Sequence, residues 1–99
     1  MNIILGREPA EKLKENYTVL ELETFEHLGE KVTAFCVVNQ VPVMELPSLE
    51  QHKKLHETFI NEYNAGNHSF CKDLVEHLMG RFGGELDSFY QTLLDKIAS

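Results

Sequence analysis

The sequence predicts a small α+β domain, and two patterns carry this prediction. Residues 17–39 contain two stretches rich in β-branched and aromatic side chains separated by a glycine-containing turn, which is typical of a β-hairpin. Residues 49–98 contain three stretches in which apolar side chains recur at helical spacing. We therefore expect an antiparallel sheet of two or three strands packed against C-terminal helices, within a single domain of residues 1–99.

The predicted sheet is built around the hairpin. Residues 17–25, YTVLELETF, and residues 31–39, KVTAFCVVN, are its strands, and Gly29 between them can adopt a positive φ. The second strand is apolar on both faces, which indicates a central position with cover on both sides. Residues 2–5 form a short apolar run ending at a glycine and could supply a third strand.

Strict alternation along the first strand separates its side chains into two faces. Leu20 and Leu22 fall on one face, which is the better candidate for the core. Glu21 and Glu23 fall on the other face, together with Phe25. The two glutamates are therefore expected to point outward.

Four helices are predicted. A two-turn helix over residues 9–16 begins at Pro9, which suits a first helical position. After a proline-containing link long enough for an extended crossing, Ser48 is expected to cap a helix at its N-terminus, with Gln51 completing a capping box. Three helices then cover residues 49–64, 68–79 and 85–98. The apolar face of the last helix, expected to be core or interface, comprises Leu86, Phe89, Tyr90, Leu93 and Ile97.

Composition and charge exclude several function classes. The 99 residues are 42% hydrophobic with a net charge of −7, which is typical of a folded domain and repels phosphate backbones, so no direct nucleic-acid binding is expected. No apolar stretch is long enough to cross a membrane. Cys36 and Cys71 stand far apart in sequence and outside any CxxC pair, which favours a reducing, cytoplasmic setting with both thiols buried.

The acidic side chains are concentrated in one part of the chain, because residues 15–50 hold seven glutamates against one lysine. Such a run most often forms a solvated face that protects a strand from edge pairing. The alternative is a negative patch that recruits a basic partner. Such a patch could mimic nucleic-acid phosphates and occupy the nucleic-acid-binding surface of that partner. The candidate partner-binding residues are Glu21, Glu23, Glu26 and Glu30.

The first C-terminal helix carries the sharpest candidate site. His52 and His56 lie four residues apart on its apolar face, where two neutral imidazoles can share a metal ion or respond to pH. The candidate third ligands of such a metal ion are His27, His68, Cys71 and His77. Since no HExxH motif or second ligand pair is present, the more common interpretation is a pair of half-buried histidines with ordinary partners.

Two further groups of polar residues are expected to have structural and not catalytic roles. Cys71 follows His68 by three residues but lies on an apolar helix face, as a buried structural thiol does. Glu85 and Asp87 precede Ser88 in a first helical turn, where the helix dipole favours acids without any catalytic role. No phosphate-binding loop and no nucleophile motif is present, and no cofactor is expected.

These observations favour a small, acidic, intracellular interaction or regulatory protein without catalytic activity that self-associates as a homodimer. The alternatives are a metal-binding or pH-sensing domain using His52 and His56, and a small enzyme whose site is assembled from residues distant in sequence. The enzyme is the weaker of these, because no nucleophile, base and orienting group stand at a recognisable spacing.

Overall fold

The α+β class is confirmed by a computed structural model that describes residues 2–38 and 41–98. Its strands form a three-stranded antiparallel sheet, and most of the helices follow the sheet in sequence. Within the described ranges, no helix has the length and apolar content needed to cross a bilayer. The strands are β1 (Asn2–Leu5), β2 (Thr18–His27) and β3 (Glu30–Val38), the α-helices are α1 (Arg7–Leu13), α2 (Leu49–Ala65), α3 (His68–Leu78) and α4 (Asp87–Ala98), and 3-10 helices cover Val43–Ser48 and Phe82–Gly84.

Two compact units divide the chain, Met1–Asn39 and Gln40–Ser99. In the first unit, the sheet order is β1-β3-β2, which confirms that the second hairpin strand is central and that residues 2–5 form a strand. Residue 39, the last of the predicted hairpin, lies outside the described residues. The single domain expected over residues 1–99 stays a prediction.

Both faces of β3 are buried, as its continuous apolar sequence predicts. Helix α1 covers one face, where Ala10 packs in a cluster with Val19, Phe35 and Val37. Half-buried Leu13 joins this cluster from the end of the helix. The buried side chains of the opposite face are Leu20, Ala34, Cys36 and Val38.

A β-bulge in β2 corrects the predicted faces of that strand. Glu21 pairs with Phe35, but Thr24 pairs with Thr33, so β2 holds one extra residue between the two pairs. Because side chains alternate with a period of two, this insertion moves Phe25 onto the face of Leu20, whereas strict alternation placed it on the other face.

Helix α1 begins and ends earlier than predicted. It covers Arg7–Leu13 instead of residues 9–16, since Gly6 adopts a φ of 96° that leads β1 directly into the helix. Pro9 then lies inside the first turn, where its missing N–H costs no intrahelical hydrogen bond. The residues after Leu13 form a turn in which the Tyr17 N–H donates to the Leu13 carbonyl.

In the second unit, the segment before α2 is helical, contrary to the extended link predicted. The 3-10 helix Val43–Ser48 runs directly into α2, and Ser48 makes no side-chain capping hydrogen bond. The capping-box prediction is therefore wrong. Its physical reason is that Ser48, where the 3-10 helix runs into α2, has φ −107° and ψ 5° and not the extended dihedrals of a capping serine.

The remaining helices match their predicted positions to within two residues. Gly66 ends α2 in the left-handed conformation, as expected for a glycine C-cap. Helix α4 begins at Asp87 instead of residue 85, because the 3-10 helix Phe82–Gly84 and a turn precede it. The predicted apolar face is buried at Leu86, in the turn before the helix, and at Tyr90 and Leu93, whereas Phe89 and Ile97 are half-buried.

Truncating Leu93 to Ala tests the packing of α4. The side chain is buried, so its loss leaves a cavity and lowers the free energy of unfolding by about 2–5 kcal/mol. The control is Leu28→Ala at an exposed leucine, with an expected change below about 0.5 kcal/mol. Urea unfolding followed by circular dichroism measures both, and equal midpoints for the two variants would contradict the assignment.

Candidate functional sites

His56 lies at the centre of the helical unit and is bonded to a tyrosine. Its side chain is 1% exposed, and its Nδ1 atom is 2.7 Å from the hydroxyl oxygen of Tyr90 on α4. Either group can donate, depending on the imidazole tautomer. A buried polar group in an apolar interior costs free energy unless it is hydrogen-bonded, so each residue supplies the partner that the other needs.

Aromatic rings surround this pair. The His56 ring lies 6.2 Å from Phe82, 6.4 Å from Phe89 and 5.7 Å from Tyr90, between centroids. The ring of Phe59 meets Tyr90 edge-on at 5.4 Å. Such packing is typical of a structural core, and it gives the His56–Tyr90 hydrogen bond a role in joining α2 to α4.

His52 lies one helical turn before His56, on the same side of α2. It is half-buried, and its ring contacts Phe82 edge-on at 6.4 Å. Its Nδ1 atom is buried, and the described residues supply no hydrogen-bond partner for it. His52 is therefore half-buried as expected from the sequence, whereas His56 is fully buried, and the two rings have different surroundings.

The metal alternative gains no third ligand in the described structure. Across residues 2–38 and 41–98, no group of three or more His, Cys, Asp or Glu side chains is placed to hold a metal ion. His68, one candidate third ligand, contacts the ring of Tyr63 at 6.0 Å. Metal binding by His52 and His56 stays a prediction.

A carboxylate contact that the sequence did not predict lies beside these rings. The Glu45 carboxylate accepts hydrogen bonds from the backbone N–H groups of Phe82, at 2.6 Å, and Gly83, at 3.1 Å. Phe82 and Gly83 both have positive φ, 55° and 68°, which turns their consecutive N–H groups towards one anion. This contact attaches the 3-10 helix Val43–Ser48 to the loop before α4.

The glutamates of the hairpin have different surroundings. The Glu21 carboxylate accepts a hydrogen bond of 3.1 Å from the Arg7 guanidinium, which also lies 5.3 Å from the centroid of the Phe35 ring. Glu21 therefore takes part in holding α1 on the sheet. Glu26 and Glu30 are exposed near the turn, on paired strands.

Exposed apolar side chains accompany these acids at the end of the hairpin, residues 23–31. Leu28 is 91% exposed, and Phe25 is also exposed. Leu28 and Gly29 form the two-residue turn, with φ of 53° and 82°. The sequence predicted the positive φ of Gly29 but not that of Leu28, because leucine seldom adopts it.

The thiols have the buried surroundings predicted, whereas of the two acids only Asp87 lies in the first turn of α4, and Glu85 lies in the turn before it. Cys36 and Cys71 are buried and form no disulfide, and the Cys71 Sγ atom lies 3.8 Å from the Phe59 carbonyl oxygen, to which it can donate. Asp87 accepts a 2.8 Å hydrogen bond from the Gly80 N–H. Its carboxylate thus closes the turn between α3 and α4.

No protein-family model matches the chain, and comparisons with curated proteins and with solved structures give no significant match. The residues of this chain are therefore the basis for its proposed function.

Replacing Tyr90 with Phe tests the buried pair. The change removes the hydroxyl bonded to His56 while keeping the ring, so the free energy of unfolding should fall by about 1–2 kcal/mol. The matched control is Tyr17→Phe, at an exposed tyrosine, which should change it by less than about 0.5 kcal/mol. Chemical denaturation compares them, and equal stability of Tyr90→Phe and wild type would contradict a structural role for the pair.

The reactivity of Cys71 provides a second test. Burial, and then the charge of Glu62, raise the pKa of the Cys71 thiol above its ordinary value of 9.0. The unfolded chain then loses this proton first, so the Cys71 contribution to stability falls as pH rises above about 9. A thiol reagent at pH 8 should label native Cys71 far more slowly than the denatured chain, measured in a Cys36→Ala background. Equal rates would show the thiol to be accessible.

Proposed function

We propose that the chain is a small protein-interaction domain without catalytic activity, whose hairpin end binds a basic, partly apolar segment of another protein. Self-association is part of the proposal, as is a reducing cytoplasmic setting, which the two buried cysteines without a disulfide support. The observation that carries the proposal is the conformation and exposure of Leu28.

Leu28 has an exposed apolar side chain and a positive φ, which leucine seldom adopts. A hairpin turn with positive φ at both central residues favours Asn, Asp or Gly, and a leucine there costs on the order of 1 kcal/mol. At 91% exposure the side chain gains almost nothing by burial. A residue that costs stability without a folding benefit indicates a contact made on binding.

The charges around Leu28 favour a basic partner. Residues 23–31 contain Glu23, Glu26 and Glu30 against Lys31, and Lys31 pairs in register with Glu26. Opposite charges on a partner would speed its approach and select its orientation. Leu28 and exposed Phe25 would then supply the apolar contact, because exposed charge pairs alone contribute little.

The second candidate function is that of a pH-sensing domain centred on His56. It is favoured by the burial of the imidazole among Phe82, Phe89 and Tyr90, where a positive charge would have to be accommodated if the ring were protonated. The hydrogen bond to Tyr90 also fits a purely structural role, and for that reason this function ranks second.

Titration with a short peptide of alternating Arg and Leu residues tests the hairpin proposal by isothermal calorimetry. Glu26→Lys should weaken binding about fivefold, through one lost attraction and one added repulsion. Glu57→Lys makes the same charge change at an exposed site on α2 and should have a smaller effect. Added salt should weaken binding by the wild-type chain.

Leu28→Asn separates binding from folding. It should weaken peptide binding, while raising the free energy of unfolding by about 0.5–1 kcal/mol because Asn suits the positive φ. A peptide that fails to bind, or that binds wild type, Glu26→Lys and Leu28→Asn equally, would overturn the proposed function.

A further inference from the structure

The sheet of the first unit has two edge strands of different character. Its order is β1-β3-β2, so among the described strands β1 and β2 each have one side without a neighbouring strand. β1 covers four residues, NIIL, and carries no charge. β2 covers ten residues and contains three glutamates but no lysine, arginine or proline. A long edge strand without lysine or proline leaves its backbone groups able to pair with another strand.

The pairing register shows which backbone groups of β2 point away from β3. His27 and Glu30 flank the two-residue turn, so they exchange hydrogen bonds with each other. Hydrogen-bonded and non-hydrogen-bonded pairs alternate along an antiparallel ladder, which makes the pairs at Thr24 and Glu26 non-hydrogen-bonded. The close approach of the Thr24 and Thr33 hydroxyl oxygens, at 2.8 Å, agrees with this assignment. The N–H and C=O groups of Thr24 and Glu26 therefore face the unpaired side of β2.

Side chains beside these backbone groups alternate between two faces. Thr24 and Glu26 lie on one face of the sheet, and Phe25 lies on the other. All three residues are exposed. A strand added next to β2 alternates its own side chains in the same way, so one set lies beside Glu26 and the other beside Phe25. Basic residues suit the first set and apolar residues suit the second.

We propose that the partner's segment binds as a fourth, antiparallel strand along residues 24–27 of β2, with basic side chains beside Glu26 and apolar side chains beside Phe25. The inference rests on the proposed function, and it names the backbone conformation and the sequence pattern of the partner. The β-bulge before Thr24 interrupts the regular edge, which limits the pairing to residues 24–27, next to exposed Leu28.

Charge complementarity selects this occupant. A second copy of β2 would bring three more glutamates to the edge, from a chain of net charge −7, and would be repelled. A basic strand is attracted by the same charges. The glutamates of β2 thus protect its edge from pairing with another β2 while leaving it open to a basic segment.

Backbone hydrogen bonds provide the feature by which strand addition can be recognised. In an antiparallel pair, the partner residue directly opposite Glu26 donates its N–H to the Glu26 carbonyl and accepts the Glu26 N–H. Thr24 is paired in the same way two residues along. Directly opposite residues share a face, so the partner residues that make these bonds are the basic ones. The N–H groups of the apolar residues face away from β2.

Two N-methylated versions of the Arg-Leu peptide test the strand addition by isothermal calorimetry. Methyl groups on the arginine amides remove the N–H groups that face β2 and should weaken binding at least about tenfold. The matched control carries methyl groups on the leucine amides, which face away from β2. It should bind within about threefold of the unmethylated peptide.

Amide hydrogen exchange, measured by NMR, provides a readout that side-chain contacts alone leave unchanged. In the complex, exchange of the Thr24 and Glu26 N–H groups should slow at least about tenfold. The N–H groups of Phe25 and His27 already donate to β3 and should change much less.

Two kinds of failure are distinguishable. If the unmethylated peptide binds but methylated arginine amides leave its affinity unchanged, or Thr24 and Glu26 gain no protection, strand addition is overturned while the proposed function stands. If the unmethylated peptide does not bind, both are overturned.

Discussion

The helical unit depends on one buried polar contact, the hydrogen bond between His56 and Tyr90. Both side chains are almost fully excluded from solvent, and their hydrogen bond offsets part of the hydration that burial removes from each. Their hydrogen bond joins α2 to α4, and the rings of Phe82 and Phe89 pack around it. Phe82 in turn presents the N–H that Glu45 accepts, so the position of the 3-10 helix Val43–Ser48 follows from the packing of the core.

Much of the fold was predictable because its signals are local. β-branched alternation indicated the hairpin, two apolar faces placed β3 at the centre, and helical spacing located α2, α3 and α4. The β-bulge in β2 was not predictable, because an inserted residue leaves the composition of a strand unchanged. The 3-10 helix was missed since Pro42, which precedes it, and Pro47 within it favour an extended link equally well.

The candidate site was predictable only in part. Helical spacing placed His56 and Tyr90 on the apolar faces of their helices, and a search for partners among buried polar groups could have joined them. The contact of Glu45 with Phe82 and Gly83 spans 37 residues to the nearer of the two and depends on positive φ at a phenylalanine, for which the sequence holds no reliable signal. The buried polar groups thus stabilise the fold. The exposed apolar residues beside the glutamates of the hairpin end carry the proposed recognition.

We propose that recognition occurs at the hairpin end and not at the buried histidines. An amide ¹⁵N–¹H correlation spectrum, recorded while the Arg-Leu peptide is added, tests this claim residue by residue. We expect the largest shift changes within residues 23–31, with Leu28 and Gly29 among them, and only small changes at His52, His56 and Tyr90. Shifts centred on those three residues, with the hairpin end unaffected, would contradict it.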